Sequence, residues 1–224
     1  MKISNRGLLE IAEHEGIVPA PYYDSAGVLT FGIGHTKNAG GIDPATMKRG
    51  MPVDLDEAID KAIAIFRSDV PKYETRVNDA ITVPIEQHEF DALVSFDFNT
   101  GGMRYRNSRG EWTRAMLVHA INRREANASR HFFGWLRPPE LRKRRTAEKN
   151  LFDTGNYDGN GNTIPVWKVD ANGKLRGILT TITGDELLRR MAPAMPEPKA
   201  PTGPSQNPFA ALFAFLSRIF TKGA

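Results

Sequence analysis

The sequence has no cysteine among its 224 residues, which excludes disulfide bonds, thiol catalysis and zinc sites built from cysteine. Nor does it contain 18 consecutive apolar residues, the length that a membrane-spanning helix needs. Its five histidines are scattered without the spacing of a metal site, so we expect neither a metal nor a cofactor. The first 25 residues lack the apolar run of a secretory signal peptide, and we expect synthesis in the cytoplasm without such a signal.

Charge is nearly balanced overall, at a formal +4, but it is unevenly distributed along the chain. Residues 104–149 contain 13 basic and 4 acidic side chains, whereas residues 51–91 contain 4 basic and 10 acidic ones. A basic segment of this kind favours a polyanionic partner, which could be a nucleic acid or the anionic bacterial envelope.

Composition divides the chain into three parts. Residues 193–208 contain six prolines and little apolar bulk, which predicts a stiff, exposed linker between a folded domain over residues 1–192 and a C-terminal segment over residues 209–224. That segment is predicted to form an amphipathic helix that orders against a surface, either the folded domain or a membrane. Its apolar positions recur at helical spacing: Phe209, Leu212, Phe213, Leu216, Ile219 and Phe220.

Hydrophobic periodicity and capping residues predict an α+β domain that is mostly helical, with one small sheet near the N-terminus. The predicted helices begin at Ser4 or Asn5, at Asp54, at Pro84 and after Thr183, and others lie near 112–122, 126–134 and 139–154. Two β-hairpins are predicted around turns at residues 24–27 and 170–173.

Glu15 is a candidate general acid. It ends the first predicted helix, on the same face as Leu8, so helical periodicity points its carboxyl group toward the interior. The C-terminal end of a helix also disfavours a negative charge. Both effects favour a protonated carboxyl group, as general acid catalysis requires. A surface Glu at a frayed helix end is the alternative interpretation.

Asp24 and Thr30 lie close to Glu15 in the sequence. Asp24 begins the turn Asp-Ser-Ala-Gly. The alternative interpretation is structural, because an aspartate at this position caps the turn with its own side chain. Thr30 lies on the following strand, on the opposite face from Leu29 and Phe31. A helix end, a turn and a strand can therefore bring three polar side chains together.

The spacing of Glu15, Asp24 and Thr30, followed by Phe-Gly-Ile-Gly-His-Thr up to Thr36, resembles the phage-type lysozymes and endolysins of glycoside hydrolase family 24. The resemblance continues through the segment Asp-Phe-Asn ending at Asn99 and through residues 141–152. These enzymes cut the glycan of bacterial peptidoglycan. The resemblance implies a two-lobed fold, with a small N-terminal sheet, a long connecting helix from residues 51–79, and a helical C-terminal lobe.

The resemblance also implies roles for the three residues. Glu15 would protonate the glycosidic oxygen between N-acetylmuramic acid and N-acetylglucosamine. Asp24 would act on the opposite face, as a base, as a nucleophile or by stabilising the transition state, and Thr30 would position the water. Which of these Asp24 does depends on the distance between the two carboxyl groups.

Further residues follow from the same resemblance. A basic residue on a late helix should face Glu15, and the register favours Arg144 over Arg145. Thr36, Phe98 and Asn99 are expected to bind substrate or to support the site. His35 and Asp69 should form a structural pair.

Other functions remain possible at this stage. A lytic transglycosylase would cut the same bond with one acid and no water, and Asp24 argues against it. A non-catalytic protein that binds the envelope or a nucleic acid would use the basic segment instead. The spacing of the candidate catalytic residues favours peptidoglycan over a nucleic acid as the partner. We expect the protein to be a monomer and not to bind nucleic acid. We expect release through a membrane lesion into the periplasm. Residues 209–224 are expected to contact either the folded domain or a membrane surface.

Overall fold

A computed structural model describes residues 1–192 of the chain, except for the side chain of Trp112. The predicted linker, residues 193–208, and the predicted C-terminal segment, residues 209–224, lie outside the described residues. In the part that is described, no helix has the length and apolarity to cross a membrane.

The N-terminal region forms one helix and a three-stranded antiparallel sheet. Helix α1 (Asn5–Glu15) begins where the backbone N–H of Gly7 donates to Ser4 Oγ, as the capping pattern predicts. The strands follow in the order β1, β2, β3, and they are Val18–Tyr23, Leu29–Gly32 and His35–Thr36. The predicted first helix and first hairpin are therefore confirmed.

The acidic segment forms two consecutive helices where the sequence predicted one long helix over residues 51–79. Helix α2 (Leu55–Asp69) begins with Asp54 Oδ1 accepting a hydrogen bond from Glu57 N at 2.9 Å. Helix α3 (Pro71–Ala80) follows at once. The interruption falls at a proline, which has no backbone N–H to continue the hydrogen-bond ladder of α2. Two short 3-10 helices, Lys37–Ala39 and Pro44–Thr46, precede α2.

Helix α4 (Gln87–Thr100) begins three residues later than the prediction from Pro84. Glu86 caps the helix, since its own N–H donates to Glu89 Oε2 at 2.6 Å in a reciprocal capping box. Gly101, at φ 61°, ends the helix as predicted. Every residue from 90 to 97 is buried, so α4 runs through the middle of the fold.

A hairpin replaces the start of the helix predicted at 112–122. Strands β4 (Arg104–Arg106) and β5 (Trp112–Arg114) pair around a turn in which Asn107 Oδ1 accepts hydrogen bonds from Arg109 N and Glu111 N. This Asn-Ser-Arg-Gly turn was the signal that the helical interpretation overlooked. Helix α5 (Met116–Asn122) then follows.

The predicted helix at 126–134 is a 3-10 helix, Ala128–Gly134, and the one predicted at 139–154 is divided. It consists of a 3-10 turn, Pro139–Leu141, and helix α6 (Arg142–Thr154), which Gly155 ends as predicted. A further 3-10 turn, Asp158–Asn160, leads to the second predicted hairpin.

The second hairpin is present, with strands β6 (Thr163–Val169) and β7 (Leu175–Thr183). Helix α7 (Gly184–Met191) follows and is capped by Thr183 Oγ1, which accepts from Glu186 N. Strand β6 borders β1, because Ile17 N donates to Pro165 O at 2.8 Å and Tyr23 N donates to Gly173 O at 2.9 Å. The hairpin therefore covers the outer edge of the N-terminal sheet. Of the three small sheets in the described residues, the N-terminal sheet and this hairpin were predicted, and the β4–β5 hairpin was not.

The main hydrophobic core lies around α4, which packs against α1, α3 and α6. A second, smaller cluster lies between β1 and the second hairpin, with Val18, Ala20 and Val169 at its centre. The main core thus joins α1, the N-terminal sheet and α6.

Candidate active site

Glu15 lies at the last position of α1, where the chain turns toward β1. Gly16 permits this turn because its φ is 69°, and its N–H still donates to Ala12 O at 2.8 Å. The Glu15 side chain is 24% exposed, and its Oε1 lies 2.5 Å from Arg144 Nη1. A carboxyl group that is partly exposed and paired with one arginine can exchange a proton with a bound substrate.

Gly34 brings the turn between β2 and β3 close to this carboxyl group. Its φ is 72°, and a Cβ at this position would lie 3.2 Å from Phe98 Cε1 and 3.7 Å from Glu15 Oε2. A side chain here would therefore be strained in its backbone and crowded against the site. The sequence motif Phe-Gly-Ile-Gly-His-Thr includes this glycine, but its role is visible only in the structure.

Asp24 begins the exposed turn between β1 and β2. Its Oδ1 accepts hydrogen bonds from Ala26 N at 2.9 Å and Val28 N at 2.7 Å, so the turn-forming role is present. Within residues 1–192 no hydrogen bond to Asp24 Oδ2 is seen. The structural role thus uses one carboxylate oxygen and leaves the other for chemistry.

Strand register brings Thr30 and Thr36 to one face of the sheet. Thr30 pairs with Tyr22 on one side and with Thr36 on the other, and side chains paired directly across strands share a face. Thr30 is buried, and its Oγ1 donates to Val28 O at 3.0 Å. Its oxygen lone pairs remain able to accept a hydrogen bond from water.

The sequence reasoning missed Tyr22, whose hydroxyl group interacts electrostatically with both Glu15 and Asp24. Burial, first, and then the negative charges of Glu15 and Asp24 raise the pKa of its hydroxyl well above the ordinary value. Both carboxylates therefore act on one phenol, and Tyr22 stays neutral between them. A tyrosine in a strand of mixed residues gives no sequence signal for such a position.

Arg144, which the register favoured over Arg145, contacts Glu15, but both arginines are buried and both belong to one charge cluster. Arg145 is 0% exposed, and its Nη2 donates to Asn99 Oδ1 at 2.9 Å. Glu148, 2% exposed, accepts from Arg144 Nε at 3.0 Å. The cluster therefore joins Glu15 on α1 to the end of α4 through the first turns of α6.

Phe98 and His14 complete the surroundings of Glu15. Phe98 packs against Tyr73 with ring centroids 4.8 Å apart, which holds it beside Gly34. Burial, followed by the charges of Arg144 and Arg145, lowers the pKa of His14 to about 3. His14 is therefore neutral at ordinary pH, although it is adjacent to Glu15 in the chain.

His35 and Asp69 are buried together, with Nδ1 and Oδ2 2.7 Å apart. His35 Nε2 lies 2.7 Å from Ile42 O, so both ring nitrogens face oxygen acceptors. The contact connects β3 to the end of α2. Among the described residues, no cluster of three or more His, Asp or Glu side chains has the arrangement of a metal site.

Comparison with known proteins shows the family of the chain. The family model described as phage lysozyme matches residues 12–148. An endolysin of Acyrthosiphon pisum secondary endosymbiont phage 1 is 31% identical over 164 residues, which cover 69% of this chain and 99% of that protein.

Solved structures of similar proteins show the same fold. The endolysin from Escherichia coli O157:H7 phage FAHEc1 is 27% identical with a TM-score of 0.53, covering 70% of this chain and 96% of that one. The muramidase domain of SpmX from Asticaccaulis excentricus is 27% identical with a TM-score of 0.51, covering 68% and 98%. Since the family model matches more than half of the residues and the α+β fold is shared, the chain belongs to the phage lysozyme family.

Proposed function

We propose that the protein hydrolyses the β-1,4 bond between N-acetylmuramic acid and N-acetylglucosamine with Glu15 as the general acid. The protein is a lysozyme, a glycoside hydrolase whose substrate is bacterial peptidoglycan. The observation that carries the assignment of the acid is the position of Glu15, partly exposed at a helix end with Arg144 at 2.5 Å. A general acid must be reachable by the glycosidic oxygen and held in one orientation, and this contact holds it.

Asp24 and Thr30 act on the opposite face of the sugar in this proposal. The free oxygen of Asp24 takes a proton from a water molecule, and the hydroxyl of Thr30 accepts a hydrogen bond that orients that water. Both carboxylates act on Tyr22, which supports their placement around one site. This assignment makes the enzyme inverting, so NMR of the first product should show the α-anomer, and an initial β-anomer would instead assign Asp24 as the nucleophile.

Product analysis separates hydrolysis from the alternative chemistry. A lytic transglycosylase forms 1,6-anhydro ends because no water enters, whereas a hydrolase forms reducing ends. Mass spectrometry of muropeptides released from purified peptidoglycan should show reducing ends. Anhydro ends as the main product would overturn the proposal. The comparisons favour the lysozyme over a transglycosylase or a non-catalytic binding protein.

We also propose that residues 209–224 contact a membrane surface. The sequence supports this, because a series of apolar positions precedes Arg218 and Lys222. Deletion of residues 209–224 should leave hydrolysis of purified peptidoglycan intact and abolish binding to anionic liposomes. Failure of the full chain to bind such liposomes would contradict this part of the proposal.

The site of action is part of the same proposal. A phage-family lysozyme acts on peptidoglycan, so the enzyme works in the periplasm, which it reaches through a membrane lesion as a monomer. Fractionation of expressing Gram-negative cells, with and without a pore-forming protein, should show periplasmic activity only after the lesion forms. Sedimentation of the purified chain should give a single species of about 25 kDa, consistent with its 24.9 kDa mass.

A further inference from the structure

Glu148 is a buried carboxylate that the catalytic assignment leaves unexplained. It accepts hydrogen bonds from Arg144 Nε at 3.0 Å and from Ser95 Oγ at 3.0 Å. Arg145 Nη2 also donates to Glu148 Oε1 at 3.1 Å, and Arg145 Nε lies 3.0 Å from Glu148 Oε2 as an ion pair. A buried charge of this kind is costly unless it is paired, and here it is paired twice.

The cluster contains two negative and two positive side chains. Arg144 lies between two carboxylates, with Nη1 toward Glu15 and Nε toward Glu148. Burial raises the pKa of Glu148, and the two guanidinium charges oppose that rise. Burial lowers the pKa of Arg145 only to about 10, so the arginine stays charged at neutral pH. The two charged guanidinium groups that face Glu148 stabilise its ionised form, and its negative charge then offsets one of their two positive charges.

Removal of the Glu148 charge would change the electrostatic surroundings of Glu15. A guanidinium group beside a carboxyl group stabilises its ionised form, and a general acid needs the protonated form. With Glu148 neutral, Glu15 would face Arg144 and Arg145 without the negative charge that now offsets one of them.

We propose that Glu148 is a positioning residue for the catalytic acid, which fixes Arg144 against Glu15 and offsets the charge of Arg145. This inference rests on the proposed role of Glu15 as the general acid.

Three titratable groups near Glu15, His14, Tyr22 and Tyr73, keep one charge state at mildly acidic to neutral pH. The pKa of His14 is lowered to about 3, mainly by burial, and burial raises that of Tyr73 to about 12. Tyr22 stays neutral for the same reason, and the charge of Asp24, in the turn between β1 and β2, also acts on it. Further back on α1, burial raises the pKa of Glu10 to about 8 and of Glu13 to about 7, so these two need a control.

The test is the pH dependence of kcat/KM for Glu148→Gln on dye-labelled peptidoglycan. Gln keeps an oxygen that accepts from Arg144 Nε and removes the charge. We expect the alkaline limb, where activity is lost with rising pH, to move to lower pH by about one unit, since only one guanidinium group separates the two carboxylates. Glu10→Gln and Glu13→Gln are the controls, and each should leave that limb in place.

A double variant separates charge from structure. Glu148→Gln combined with Arg145→Gln removes one negative and one positive charge, and it should return the alkaline limb toward its original position. Arg145→Gln alone should move the limb to higher pH, and Glu148→Asp should leave it near that of the original chain. If Glu148→Gln does not fold, these last two variants decide the question.

A purely structural role for Glu148 predicts a different result. Activity would then fall by the same factor at every pH, in parallel with the melting temperature, and such an outcome overturns the inference. Failure of the proposed function is distinguishable, because Glu15→Gln would then retain activity. An inactive Glu15→Gln together with an unmoved limb in Glu148→Gln leaves the lysozyme assignment standing and refutes the role of Glu148.

Discussion

Glu10 is a buried acid on α1 whose ionisation should weaken the fold. Only 4% of it is exposed, and Asn160 Nδ2 donates to its Oε2 at 2.6 Å. Its Oε1 is buried and receives no hydrogen bond within the described residues. Burial, and next the charge of Glu13, raises the pKa of Glu10 from 4.5 to about 8. The folded state therefore holds a proton that the unfolded chain releases at lower pH.

The sign of the effect follows from proton linkage. Between pH 4.5 and about 8 the folded state binds the proton more tightly than the unfolded chain does, so stability falls as pH rises through this range. At 1.36 kcal/mol per pH unit, a shift of about 3.5 units corresponds to at most about 5 kcal/mol. Relaxation of the site and entry of water reduce this value, and we expect a loss of about 2–4 kcal/mol above pH 8.

Glu10→Gln is the perturbation that isolates this effect, because Gln resembles the protonated acid and cannot ionise. The variant should match the original chain in unfolding free energy near pH 5. Near pH 8.5 it should be more stable by about 2–4 kcal/mol, or roughly 5–15 °C in melting temperature for a domain of this size. Denaturant unfolding at both pH values measures the difference.

The control is Glu140→Gln, at an exposed glutamate in the 3-10 turn before α6. It should change stability little at either pH. A Glu10→Gln variant that is less stable than the original chain by the same amount at pH 5 and pH 8.5 would refute the reasoning, since the ionised carboxylate would then be well solvated or paired.

Four further outcomes are expected. Glu15→Gln should fold normally and lose about 10²-fold or more in hydrolysis, whereas residual activity above about a tenth would contradict the acid role. Asp24→Asn should keep the turn, because the amide oxygen still accepts from Ala26 N, yet lose a similar factor in activity; near-normal rates would leave only the turn-forming role. His35→Asn leaves the buried Asp69 without its partner and should cost about 3–5 kcal/mol in thermal unfolding, with the remaining folded protein still active at low temperature; an unchanged melting temperature would refute this. Gly34→Ala should lower both stability and activity, because its Cβ would lie 3.2 Å from Phe98 Cε1. Gly110→Ala is the control, since Gly110 has a similar φ of 76° and lies in open space. It should cost only backbone strain, about 1–2 kcal/mol, and leave activity unchanged.

Local features of the fold could be predicted because their causes lie within a few residues. Ser4, Asp54 and Thr183 cap helices as expected, since each side chain accepts from a backbone N–H three residues later. Both predicted hairpins are present, because their turns also depend on a few neighbouring residues. Predictions failed where two local signals competed: Pro84 suits a helix start, but the capping box of Glu86 and Glu89, which begins two residues later, sets the start of α4.

In the candidate site, too, the short-range features could be predicted and the long-range contacts could not. The spacing of Glu15, Asp24 and Thr30 and the glycine motif after them could be recognised in the sequence, because one helix end, one turn and one strand carry them. The side chains that surround these residues in the fold could not be recognised in the sequence. Arg144 lies 129 positions from Glu15, and Glu148 contacts Ser95 from 53 positions away.

The sequence by itself therefore determined the family, the order of most elements and the residues proposed to act on the glycan, all of which depend on short-range patterns. The tertiary structure decided the electrostatics of the site. Periodicity on α6 allowed either Arg144 or Arg145 to face the interior, and packing of α6 against α4 buries both. Once both are buried, each positive charge needs a negative partner, and that requirement brings Glu148 and Glu15 into one cluster.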